Sequence, residues 1–147
     1  MATSSHLVFI DSGVLVAAAR GIAPIAQRAL AVLSDPSLQF ASSQLVRLEV
    51  LPKAVYTNRA DEIAFYQTFF DAVSTWMEVD VSIFAHAYDE AIRHGLSAVD
   101  AIHIVSAASV NADLFITTER ISKPLHRTTL VRVLSIAPEA EDSAGWK

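Results

Sequence analysis

The feature that most constrains the fold is the run His6–Ile10, HLVFI, which stays apolar without a break and stops at Asp11. A strand with one wet face alternates apolar and polar residues. An unbroken run marks a strand covered on both faces, as in a parallel sheet flanked by helices. Leu114–Thr117 reads the same way and stops at Thr118-Glu119. Shorter strands are expected at Gln39–Ala41, Trp76–Val79 and Leu130–Leu134.

Helical signals fill the intervals. Val14–Arg20 follows the start signals Ser12 and Gly13, and Ile22–Leu33 has Pro24 early and Asp35-Pro36 at its close. Ser42 or Ser43 caps a helix carrying Leu45, Leu48 and Leu51, which Pro52 or its vicinity should end or kink. Helices are also expected over about Asn58–Val73, with Tyr66, Phe69 and Phe70 mostly in the core, and over Ser82–His94, stopped by Gly95. Ser97-Ala98-Val99-Asp100 has the form of a capping box and opens the apolar helix AIHIVSAASV. Strands alternating with helices imply right-handed crossovers and a parallel sheet covered on both faces, with ligands beyond the carboxyl ends of its strands.

A chain of 147 residues has room for one such domain, expected over 1–137 with a polar tail at 138–147. With 52% hydrophobic residues and a mean hydropathy of +0.37, it is not a disordered chain. No apolar run approaches the roughly 20 residues that span a bilayer, and MATSSHLVF lacks the pattern of an export signal. The expectation is a cytoplasmic protein with no membrane association. Without cysteine there is no thiolate to bind metal or attack a substrate, so any metal is held by oxygen or imidazole.

Most acidic residues fall where a solvated face is expected, among them Asp61, Glu62, Asp71, Asp89 and Glu90, but four do not. Asp11 and Glu119 close two buried strands, Glu49 lies beside the inward stripe of its helix, and Asp100 shares a helical row with His103, Ile104 and Ala107. Each has an ordinary reading as a cap or a boundary residue; together they point at one crevice. Four carboxylates there need a compensating cation. An oxygen-only site suits Mg²⁺ or Mn²⁺, and phosphoester hydrolysis is the chemistry such a site favours. His103, on an apolar helix, reads as a packed histidine. The net charge of −5 argues against a nucleic-acid partner until the four site acids are set aside: sixteen less four leaves twelve, against eleven basic residues.

FIDSGVLVA around Asp11, LVRLEVLP around Glu49, GLSAVDAIHIVSA around Asp100 and ADLFITTERI around Glu119 occur in an order and spacing that resembles the PIN domain, and within it the VapC-like toxins of type II toxin–antitoxin pairs. The resemblance covers most of the chain. It implies a three-layer α/β/α sandwich with a central parallel sheet, and Mg²⁺- or Mn²⁺-dependent ribonuclease activity leaving 5′-phosphate and 3′-hydroxyl ends. It also implies an RNA substrate, a cognate antitoxin and a homodimer. Asp11, Glu49 and Asp100 carry over onto the family's acidic positions. Glu119 stands where aspartate is usual, with one methylene more, so the resemblance places it with Asp11, Glu49 and Asp100 in the metal site, ligating either directly or through water. Ser12 and Thr117 match hydroxyl positions that order a metal-bound water. A phosphoacceptor receiver domain and a haloacid-dehalogenase-like phosphatase both require other spacings: Gly13 occupies the place of the phosphatase's second aspartate. The remaining alternative is a non-catalytic RNA- or protein-binding module on the same fold.

Overall fold

The computed structural model describes residues 5–138, and the apolar run forms the middle of its sheet. The elements are β1 (His6–Ile10), α1 (Ser12–Arg20), α2 (Ile25–Leu33), β2 (Leu38–Ser42), α3 (Gln44–Tyr56), α4 (Ala60–Ala72), β3 (Val73–Trp76), α5 (Val81–His94), α6 (Ala98–Ser109), β4 (Leu114–Thr117) and β5 (Val133–Ser135). A 3-10 turn at Pro124–Arg127 precedes the last strand. The strand order is β3-β2-β1-β4-β5, every pair parallel. Val8, Phe9 and Ile10 of β1 are fully buried, as a strand covered on both faces requires.

The order fixes where a site can form. From β1 the chain steps outward to β2 and β3, then returns across both to place β4 on the other side of β1. Right-handed crossovers therefore put α1–α4 on one face and α5 and α6 on the other, in three layers. Contacts agree: α1 packs on α2, α3 and α4, and α5 packs on α6. The direction of winding reverses between β1 and β4, so a crevice opens there at the carboxyl ends. Asp11 follows β1, and Thr117 ends β4, at that point.

Several boundaries differ from the sequence reading. The third strand lies at Val73–Trp76 rather than Trp76–Val79, because α4 runs into it without a loop and Val73 pairs with Phe40. The last strand is Val133–Ser135 rather than Leu130–Leu134; residues before it belong to a loop in which the Thr128 hydroxyl donates to the Glu90 carboxylate. Pro52 does not end its helix, since α3 continues to Tyr56. The carbonyl left without a donor is that of the exposed Leu48, where water can satisfy it. The buried stripe of α3 is Val46, Val50 and Ala54 rather than the leucines.

Two acids assigned to solvent are buried. Glu62 accepts from Tyr66 Oη at 2.6 Å and from Arg20 Nε at 3.1 Å, which fastens α4 to α1. Glu90 is 4% exposed and fastens α5 to the loop before β5. Tyr66, Phe69 and Phe70 are buried, as expected. Of the expected tail, only Pro138 falls among the described residues. Among those residues no single helix is long and apolar enough to cross a membrane.

Candidate metal centre

Asp11 has two structural duties. It is the N-cap of α1, its Oδ1 accepting from the Ser12 amide at 2.9 Å, and its Oδ2 accepts from the Thr117 hydroxyl at 2.7 Å. Cap and candidate ligand are thus one residue: a carboxylate suits the positive end of a helix, and the strand delivers it into the crevice. Thr117 is fully buried, and its Oγ1 also accepts from the Glu119 amide at 3.0 Å, so the ends of β1 and β4 are tied through one hydroxyl. Gly13 permits this closeness. A Cβ there would lie 2.6 Å from Thr118 Oγ1.

Burial pushes the Asp11 carboxyl above its ordinary pKa, and the negative charge of Asp100 pushes the same way. His103, the Thr117 hydroxyl and the Ser12 amide oppose this without cancelling it. Asp100 arrives from the first turn of α6, which starts at Ser97, whose Oγ accepts from the Asp100 amide at 3.2 Å. Glu49 comes from α3, whose start is set by Ser43 accepting from the Val46 amide. Its carboxylate Oε1 lies 2.6 Å from His103 Nε2. Burial pushes Glu49 up, but the hydrogen bond and charge of His103, with a hydrogen bond from Ser12, outweigh it and hold the carboxyl below its ordinary value.

The links are pairwise: Thr117 to Asp11, Ser12 to Glu49 and Glu49 to His103, with Asp11 near enough to feel the charges of Asp100 and His103. Glu119 enters through its backbone: its amide bonds Thr117 and its carbonyl meets His126 Nε2 at 2.9 Å. Asp113, read as lying away from the site, does so; its Oδ2 accepts from the Leu7 amide at the opposite end of the sheet. The partnership of His103 with Glu49 is what the sequence reading missed. Its signal was the i, i+3 spacing that puts His103 on the same face of α6 as Asp100.

The donor set is oxygen-rich and free of cysteine, which suits a hard divalent cation. Among the described residues no three acidic or imidazole side chains close around one point. Mg²⁺ does not need them to, because it keeps several waters and is bound through one or two carboxylates. Asp11 and Asp100 are close enough for the charge of Asp100 to push Asp11 up, a repulsion that a bound cation would relieve.

A doubly wound parallel α/β/α sheet with carboxylates at its switch point is the class these features define. Residues 8–124 match the family model described as PIN domain, and the chain belongs to that family. Solved structures share the fold at low identity. VapBC2 from Rickettsia felis, bound to a DNA fragment from its promoter, is 14% identical with a TM-score of 0.66, covering 88% of this chain and 98% of that one. A toxin–antitoxin complex from Klebsiella pneumoniae is 18% identical with a TM-score of 0.64, covering 88% and 97%. VapBC-1 from nontypeable Haemophilus influenzae is 18% identical with a TM-score of 0.63, covering 88% and 98%. No curated protein sequence matches the chain.

Proposed function

We propose that the chain is a Mg²⁺- or Mn²⁺-dependent endoribonuclease, the toxin of a type II toxin–antitoxin pair acting in the cytoplasm. The observation that carries this reading is Asp11, a buried carboxylate at the switch point, pushed up by its burial and by the charge of Asp100. Asp11 and Asp100 hold the cation, with Glu49 and Glu119 reaching it through water. The ion, when bound, supplies charge to neutralise the scissile phosphate and to activate the attacking water. Thr117 and the Ser12 amide keep the Asp11 carboxylate turned into the crevice, and the Ser12 hydroxyl orders water beside Glu49. Phosphate contacts along the RNA are assigned to basic side chains, with Arg47 and Lys123 as candidates.

The solved neighbours include toxin–antitoxin complexes, and the groove lined by Leu30, Leu33, Phe40, Phe65 and Phe69 fits the apolar face of an antitoxin helix. Val81, Phe84, Tyr88 and Ile92 form an exposed stripe on α5 that supports a homodimer. Incubation with total cellular RNA tests the activity. Cleavage is expected with Mg²⁺ or Mn²⁺, none with chelator or with Asp11→Asn, and products should bear 5′-phosphates. Metal-independent cleavage, or full activity of Asp11→Asn, contradicts the reading. The alternative, a non-catalytic binding module, is favoured by the open arrangement of the acids; it predicts RNA or protein binding unchanged by Asp11→Asn.

A further inference from the structure

His103 is 1% exposed on an apolar helix, with its ring centroid 6.1 Å from that of Phe9. Its Nδ1 is buried and has no hydrogen-bond partner among the described residues. A buried ring with an orphaned nitrogen is a poor way to fill a core position, and an apolar side chain of similar volume would fill it without that cost. What distinguishes imidazole here is Nε2. A carboxylate oxygen accepts, so the 2.6 Å contact is written as Nε2–H donating to Glu49 Oε1. The contact also joins the two helical layers across the edge of the sheet, from α6 to α3. The same face of α6 that presents Asp100 thereby grips Glu49, whose side chain is 29% exposed and whose other hydrogen bond comes from Ser12.

We propose that His103 is a positioning residue for Glu49. It occupies one carboxylate oxygen and fixes the side chain over the crevice beside Ser12, leaving the other oxygen to face the cation. This rests on the metal-site reading above.

Mn²⁺ titration of the full chain by calorimetry, with circular dichroism as a check of fold, separates the possibilities. His103→Leu is expected to remain folded and to bind Mn²⁺ about 10-fold more weakly, the low end of what losing a group outside the direct ligands costs. His103→Gln, whose amide can donate to the same oxygen, is expected to recover most of the affinity. In a Glu49→Gln background, His103→Leu is expected to cost clearly less than in the wild type, because the part of its effect that passes through Glu49 is already gone and only its influence on Asp11 remains. Should His103→Leu fold poorly, His103→Met provides the apolar substitution. Wild-type affinity in the apolar variant, or an equal loss in the Glu49→Gln background, overturns the assignment while leaving the metal site standing. Absence of Mn²⁺ binding by the wild-type chain overturns both.

Discussion

Asp11 shows how a single residue serves fold and site at once, and the conflict between the two is measurable. Its folded pKa is raised, so the folded state holds the Asp11 proton more tightly than the unfolded chain. That contribution to stability is present below the unfolded value and is lost as pH rises through the folded one. Asp11→Asn removes it. In chelator, the variant's melting temperature should equal or exceed that of the wild type at pH 8, and the gap should narrow on going to pH 5. A wild type more stable than the variant at pH 8 contradicts this. Glu62 has the opposite sign: Tyr66, Arg20 and Arg59 outweigh burial and hold it low, so its contribution is lost as pH falls through its folded value. Glu62→Ala should cost about 2 kcal/mol in urea unfolding, by stranding Tyr66 Oη in the core. The sequence announces Asp11 and Asp100 because a break in an apolar pattern is visible in one dimension. It does not announce the burial of Glu62 or Glu90, because Tyr66 and His94 one turn on are only part of it and Arg20 and Thr128 are supplied by other elements.

At the scale of elements, local signals succeed where the backbone itself decides and fail where tertiary pairing does. Gly95 ends α5 with φ of 72°, and Ser43, Asp11 and Ser97 cap the helices expected of them or close beside them. The edge strands shift by up to three residues, since their extent depends on which residues meet β2 and β4 rather than on their own composition. Pro52 does not end its helix: the breaker is overridden because the stripe Val46, Val50 and Ala54 is buried on both sides of it. Pro52→Ala restores one backbone hydrogen bond, and about 1 kcal/mol of added stability is expected by denaturant unfolding. Mn²⁺ affinity should not change, because Glu49 is set by the Ser43 cap and by His103, both outside the substitution. A variant with altered affinity shows instead that the Pro52 turn helps aim Glu49.

For the whole molecule, the decisive fact is topological. A chain that winds outward from its central strand and then returns to the other side must leave a crevice beside that strand, and Asp11 stands at its mouth with Thr117 across from it. The parallel sheet, its buried centre and the family were legible from HLVFI, LFIT and the spacing of the acids. The strand order was not, because nothing local records on which side of β1 the fourth strand inserts. Net charge at this scale counts the crevice with the rest of the surface, although a divalent cation bound there would offset two of its four carboxylates.

The most direct test of the account is Mn²⁺ titration of the purified chain by calorimetry, beside an Asp11→Asn/Asp100→Asn variant shown by circular dichroism to be folded. The account predicts saturable binding by the wild type and its loss in the variant. With Mn²⁺ at 100 times its dissociation constant, the wild type should gain about 2.7 kcal/mol of stability that the variant does not. Equal binding by both proteins, or none by either, contradicts a metal centre built on these two carboxylates.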